Sequence, residues 1–246
     1  MQQNDATSPT TFEHVWTHAC AAEGWLTRDQ GLALFEAARR VPPGAWIVEI
    51  GSHCGRSTLL LAAAKPAGVR LLAVDPFDDP RWGGGAESMA RFESTLRGAG
   101  LLEEVQTFRG LSAEAAVAGI AEPVGLLFVD GAHDRASVLI DIDGWMPHLG
   151  ARAVLLFHDA YSSPGVTIAL FERLLVSRRA QYRGSVGSLA RVDLGPPRVA
   201  AWAPHTARTV LRLPWFARNL LIKIALRRRW PAVHRALGHQ ETHCPY

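Results

Sequence analysis

A short β-branched, apolar run, Ile47-Val-Glu-Ile50, ends in a glycine turn and runs on into a second apolar stretch. Gly51 and Gly55 bracket Ser52-His53-Cys54, and Ser57-Thr58 lead into Leu59-Leu-Leu-Ala-Ala-Ala64. A brief, almost uninterrupted apolar run is the pattern of a parallel strand buried on both faces. Glycines at its end, followed by helix formers, predict a tight strand-turn-helix connection. That is the opening of a nucleotide-type βαβ unit, so the chain is expected to fold as α/β around a parallel sheet.

The turn also restricts its ligand. A dinucleotide site needs G-x-G-x-x-G so that backbone can approach a pyrophosphate. Here the middle glycine position is His53, and Glu49 stands just before the turn. A carboxylate there repels phosphate and suits a cation carrying an ammonium or sulfonium group. The phosphate cradle G-x-x-x-x-G-K-[ST] is absent. A second apolar strand, Leu71-Leu-Ala-Val-Asp75, ends in a carboxylate placed to accept hydrogen bonds from two ribose hydroxyls. S-adenosylmethionine fits these features; a strand-turn-helix with no ligand is the alternative.

The remaining chain alternates strand and helix signals. Helical spacing covers Phe12 to Ala22 and Asp29 to Arg40, and Val41-Pro-Pro-Gly44 stops the second helix. After Asp75 comes a loop with two prolines and three consecutive glycines, read either as an acceptor-site lid or as a mobile surface loop. A helix over Met89 to Leu96 and a strand near Val105 to Phe108 follow, then the Arg109-Gly-Leu-Ser112 turn and Ala113 to Ala118. Val124 to Asp130 and Ala153 to Phe157 are further strands, followed by Gly131-Ala-His133-Asp134 and His158-Asp159. Helices are expected over Ala136 to Trp145 and from Pro164 through Leu175. Gly187 to Val192 and Arg198 to Trp202 read as a closing hairpin around Gly195-Pro-Pro. Residues 1–10 read as disordered.

Four of these stretches occur in order: Glu49-Ile-Gly-Ser-His-Cys-Gly-Arg-Ser-Thr58, Ala73-Val-Asp-Pro-Phe77, Leu127-Phe-Val-Asp-Gly-Ala-His-Asp134 and Leu156-Phe-His-Asp159. Together they resemble class I S-adenosylmethionine-dependent methyltransferases over about residues 20 to 200. More narrowly, they resemble the metal-dependent O-methyltransferases that include macrocin O-methyltransferase and related sugar-modifying enzymes. The resemblance implies a Rossmann-like three-layer sandwich with a mostly parallel seven-stranded sheet and an antiparallel edge strand. It implies a cofactor site at Glu49, Gly51, Ser52, Gly55, Ser57, Asp75, Ser112 and Asp130, with Glu23-Gly-Trp-Leu26 as a lead-in to the pocket. It also implies Mg2+ or a similar divalent cation on Asp130 and Asp159. The family's third ligand position is His158 in this chain, with Asp134 or water as the substitute. Asp130 is alternatively a helix N-cap.

Transferring a methyl group to an aliphatic hydroxyl requires its proton to be removed or the alkoxide stabilised. His133 matches the family's Asp-x-x-His, in which the histidine is the base; imidazole titrates near neutrality. The expected reaction is O-methylation of a sugar or saccharide hydroxyl, 1-O-methylation of a mannoside being one case. O-methylation of another small metabolite is the nearer alternative. Nucleic-acid N-methylation is disfavoured because Asp130-Gly-Ala-His133 replaces the Asp/Asn-Pro-Pro-Tyr-like turn of that class. A non-catalytic polyanion- or membrane-binding module is the remaining alternative.

Composition supports that last alternative in one segment. From Thr206 onward lie eight basic residues and one acid, leaving 18 basic and 22 acidic side chains to the rest. Pro214 to Pro231 is a basic, amphipathic stretch fit for an anionic membrane, a polyanion, its own domain or a second subunit. The expected division is therefore a methyltransferase domain at 1–204 and a basic extension at 205–246. A homodimer is the expected assembly. Three scattered cysteines argue against a disulfide framework, and neither a leader nor a spanning segment is evident, so a cytoplasmic setting is expected.

Overall fold

The computed structural model describes residues 11–82, 85–175, 177–197, 207 and 211–238. Two helices, α1 (Phe12–Ala19) and α2 (Arg28–Ala38), precede the first strand. Thr27 starts α2 with a capping box: its hydroxyl accepts from the Gln30 amide while the Gln30 side chain accepts from the Thr27 amide. Then β1 (Trp46–Ile50), α3 (Arg56–Ala64) and β2 (Arg70–Asp75) form the expected strand-turn-helix-strand unit. The alternation continues through α4 (Ser88–Gly98), β3 (Gln106–Arg109), α5 (Ser112–Ala118) and β4 (Val124–Val129). Next come α6 (Arg135–Trp145), β5 (Leu149–Phe157) and α7 (Pro164–Leu170), which runs into a π-helical turn.

Strand order is β3-β2-β1-β4-β5-β7-β6, with β6 (Ala180–Val186) and β7 (Leu189–Leu194) forming the closing hairpin. The first five strands are parallel; β7 pairs antiparallel with both β5 and β6. The expected mostly parallel sheet is present, but the reversed strand lies one place in from the edge. The hairpin also sits earlier in the chain than its sequence signal. It turns at Gly187-Ser188, where Gly187 adopts φ 54°, and Gly195-Pro-Pro follows it. Arg198 to Trp202 and residues 1–10 lie outside the described residues.

The apolar strands divide their side chains between two cores. Trp46, Val48, Ile50, Leu127, Val129, Leu155 and Phe157 pack with α5, α6 and α7 on one face. Ile47, Leu71, Ala73, Leu126, Phe128 and Leu156 pack with α1, α2, α3 and α4 on the other. Period-2 alternation is thus present within runs that read as uniformly apolar. Of two C-terminal helices, α8 (Leu213–Arg227) adds to the first face, where Trp215 and Phe216 contact the core, and α9 (Pro231–Ala236) packs on α8.

Backbone hydrogen bonds tie the turns together at the carboxyl edge of the sheet. Gly51 N–H donates to Val74 O at 2.9 Å, Asp130 N–H to Ile50 O at 2.8 Å and His158 N–H to Val129 O at 3.0 Å. Gly51 has φ +88°, and a Cβ on it would lie 2.3 Å from Asp130 O. Only glycine fits, both for conformation and for space. Gly51→Ala should therefore cost about 3 kcal/mol or more, from left-handed strain plus overpacking of backbone against backbone. A denaturant midpoint close to wild type would contradict this close approach.

Candidate active site

The turns after β1, β2, β4 and β5 enclose a cavity of about 590 Å³ with the Arg109–Ala113 turn and the Glu23–Leu26 segment. This size is within the usual range for small-ligand sites, and its place at the carboxyl ends of parallel strands is where α/β sheets bind ligands. Arg56 fixes one wall: its Nε donates to Ala22 O at 3.0 Å and Nη1 to Leu26 O at 3.3 Å. Gly51, Ser52, Ser57, Asp75, Ser112 and Asp130 line the cavity, as do His133, His158 and Asp159. Of the long loop after β2, Pro76 lines it, while Phe77 is buried against Phe92 at 5.0 Å between ring centroids.

Two residues expected at the cofactor do not reach the cavity. Gly55 ends the turn at φ +87° and packs beside Phe92, so its work is the entry into α3. Glu49 points to the α3 face of the sheet and is fully buried. Its Oε2 accepts from Ser52 Oγ at 2.9 Å and from the Thr58 hydroxyl, whereas Oε1 has no hydrogen-bond partner among the described residues. Glu49 thus braces Ser52 from behind. Burial pushes its pKa from 4.5 to about 7, against the neighbouring Ser57, Thr58 and Ser52 hydroxyls that lower it; the Asp130 charge adds to the rise.

Asp75 is set by backbone. Its Oδ2 accepts from His53 N–H at 2.8 Å and Oδ1 from Phe77 N–H, which aims the carboxylate and leaves each oxygen a further lone pair. Its mostly buried side chain lines the cavity.

Asp130, His133, His158 and Asp159 form one cluster. His158 is buried, with Nδ1 3.0 Å from Asp130 Oδ1 and 3.9 Å from Asp159 Oδ1. His133 is more open, with Nε2 3.8 Å from Asp130 Oδ1 and Nδ1 3.5 Å from Asp159 Oδ2. Burial favours the neutral ring at His158, but the Asp130 and Asp159 carboxylates push its pKa up to about 9. Asp130 is raised by burial and lowered more by the two histidines, for a net depression. His133 is raised, chiefly by Asp130, with burial opposing and Asp159 adding to the rise. Asp159 holds its place at φ 55°, a costly backbone conformation for a non-glycine residue.

These residues do not fit the expected Mg2+. The three sequence candidates, Asp130, His158 and Asp159, are adjacent, yet His158 Nδ1 is turned to Asp130 Oδ1 at 3.0 Å. Mg2+ prefers oxygen ligands in octahedral array, and this set offers an imidazole in place of the third carboxylate. No group of three or more His, Cys, Asp or Glu side chains among the described residues is arranged to hold a metal ion. Asp134 does not complete the set. It caps α6, with Oδ1 accepting from Ser137 N–H at 3.0 Å and Oδ2 from Ser137 Oγ at 2.6 Å. The N-cap is therefore Asp134 and not Asp130.

Asp141 escaped sequence reasoning. It sits within α6, buried, and lines the cavity near Ser112, whose Oγ accepts from Trp145 Nε1 at 3.0 Å. Burial pushes its pKa to about 6, against the Ser112 hydrogen bond, and the Asp134 charge adds to the rise. Its only local signal is an acid breaking the apolar run Val138-Leu-Ile-Asp141-Ile142.

The raised Glu49 pKa carries a stability consequence. The folded protein holds this proton more tightly than the unfolded chain, so its contribution is full below about pH 4.5 and is lost as pH rises through about 7. The loss amounts to at most about 3 kcal/mol. Glu49→Gln keeps an acceptor for Ser52 and Thr58 without the charge. It should be more stable than wild type at pH 8, with the difference shrinking toward pH 4.5. Parallel stability-versus-pH curves for the two proteins would contradict the assignment.

Residues 48–160 match the family model of a methyltransferase domain. Over 82 residues the chain is 38% identical to a transmembrane O-methyltransferase of Pan troglodytes, which covers 33% of this chain and 27% of that protein. The chain thus spans about a quarter of the length of the curated relatives it matches. Among solved structures, the O-methyltransferase from Bacillus cereus in complex with SAH superimposes with TM-score 0.58 at 19% identity, covering 75% of this chain and 90% of that one. The O-methyltransferase TomG from Streptomyces achromogenes, in complex with SAM, gives 0.56 at 20% identity over 69% and 81%. At such identities the superpositions speak for the fold. With the sheet order and the carboxylates at its strand ends, residues 48–160 are similar to a methyltransferase domain, and the chain shares the fold of the solved methyltransferases it superimposes on.

Proposed function

We propose that the chain is an S-adenosylmethionine-dependent O-methyltransferase in which His133 removes the proton from an acceptor hydroxyl. The observation that carries this is the placement of His133 between two carboxylates in the cavity that Asp75 and Ser112 also line. The similarity to curated O-methyltransferases supports the reaction class.

The cavity suits the cofactor. Asp75 would take the ribose hydroxyls, while Ser112 and Asp141 would face the adenine. Ser52, braced by Glu49, would face the amino-acid end together with the Gly51 backbone. When bound, S-adenosylmethionine supplies an electrophilic methyl group on a cationic sulfur. The chain's part is then to present a hydroxyl and manage its proton. Asp159 and Asp130 orient the His133 ring and stabilise the imidazolium formed when it accepts that proton. His158, kept cationic, offsets the charge on Asp130 so that two carboxylates can share the site.

The acceptor we propose is a sugar hydroxyl. Trp25, 61% exposed and 5.4 Å from the His53 ring, lines the same cavity, and an indole face suits the C–H face of a pyranose. A mannoside methylated at its 1-hydroxyl is one candidate within that class. A divalent cation on the Asp130–Asp159 pair is the rival means of activating the hydroxyl.

Methyl transfer from labelled S-adenosylmethionine to a panel of mannosides and deoxysugars tests both points. Product should form equally with and without EDTA, and His133→Ala should lower turnover by about 10²–10⁴-fold with little change in SAH affinity. The wild-type rate should rise with pH through a group above the ordinary histidine value of about 6.5, and that limb should disappear in the variant. Loss of turnover in EDTA, restored by Mg2+, would put a metal in place of the histidines as the activating group. An active His133→Ala enzyme would remove the base.

A further inference from the structure

Helix α8 is apolar on two opposite faces. Its inner face buries Asn219, Ile222 and Ala225, and Asn219 Nδ2 donates to the Tyr161 carbonyl at 3.0 Å, two residues beyond Asp159. Its outer face carries Leu213, Ala217, Leu221 and Ile224, all exposed. Spacings of four, four and three residues place these four in a single stripe at 3.6 residues per turn. The stripe leads into Arg227, Arg228 and Arg229, all exposed, and then to Trp230 and Val233 at 52% and 42% exposure. Thirteen large apolar side chains are exposed among the described residues, and seven lie between Leu211 and Val233, so the exposure is concentrated rather than scattered.

Among the described residues, the chain's own domain covers the inner face only. The candidate occupants of the outer face differ in what they satisfy. A nucleic acid or other polyanion would pair with the arginines but leave Leu221 and Ile224 without an apolar partner. A two-fold contact between copies would cover the leucines but give the arginine triplets no counter-charge, whether they meet in a parallel pair or lie at opposite ends of an antiparallel one. Between Thr206 and Gln240 there is no acid to supply one. An anionic bilayer surface satisfies both, burying the apolar stripe at the acyl boundary while headgroups meet the arginines. No described helix is long and apolar enough to cross a membrane, which leaves attachment along the surface as the mode for this helix.

We propose that the outer face of α8, extended by Trp230 and Val233, docks the protein on an anionic lipid surface. The occupant is identified by charge complementarity combined with the apolar stripe.

Vesicle flotation of the full chain tests this, using phosphatidylcholine vesicles with and without phosphatidylglycerol. Wild-type protein should float with the anionic vesicles, and the bound fraction should fall as salt rises. Leu221→Asp with Ile224→Asp should lower binding by about tenfold or more. Melting temperature and SAH affinity should be unchanged, since neither side chain faces the domain or the cavity. Arg227→Gln, Arg228→Gln and Arg229→Gln together should abolish the preference for anionic vesicles. The proposal is overturned if wild-type protein ignores both vesicles, or if the aspartates leave flotation intact while the arginine variant loses it and wild type binds heparin equally well. It is also overturned if sedimentation shows a dimer that the aspartates dissociate, because the stripe would then be a subunit contact.

Discussion

Everything at the candidate site depends on how closely the ends of β1 and β4 approach. The parallel ladder runs past the last residues of the strands into the turns, through Gly51 to Val74, Asp130 to Ile50 and His158 to Val129. Those bonds draw the turns to one edge of the sheet. The space they leave is narrow enough that a Cβ at Gly51 would strike the Asp130 carbonyl. Strand order reverses between β1 and β4, since their onward connections run to opposite sides, and a crevice opens at such a switch point. Backbone geometry thus sets the site before any side chain is considered.

The same edge gathers charge that the fold must accommodate. Glu49, Asp130 and Asp141 are largely buried or enclosed carboxylates around one cavity, and two of them are held well above the ordinary carboxylate range. Asp130 is held below it because His158 and His133 are beside it. A chain selected for stability alone would place apolar side chains at these positions, since burying charge costs free energy even when it is paired. A cluster of perturbed groups in a cavity is the physical mark of a site kept for chemistry. The proposed cofactor, a cationic methyl donor, would complement the charge of those carboxylates.

Much of this was legible in the sequence because strand-end residues announce themselves. Asp75 and Asp130 each end an apolar run and Asp159 comes one residue beyond another, and residues there lie at the sheet's carboxyl edge whatever the tertiary details. The hairpin was misplaced for a physical reason. The edge strand Ala180–Val186 exposes one side to water and contains Gln181, Arg183 and Ser185, so it lacks the apolar run that marks central strands. Asp141 was invisible because only tertiary packing sets its helix turn against Ser112. The pairing of His158 with Asp130 joins the turns after two strands, and no local pattern announces that contact. Glu49 stands out in the sequence as an acid in an apolar run, but the face it points to follows from strand register, which places it on the α3 side.

The central claim is that this cavity holds S-adenosylmethionine in one orientation. A crystal structure of the chain with S-adenosylhomocysteine tests it most directly. The account predicts the two ribose hydroxyls on the Asp75 carboxylate, the adenine against Ser112 and Asp141, and the sulfur toward His133. Ligand density elsewhere on the molecule, or a ribose turned away from Asp75, would contradict it.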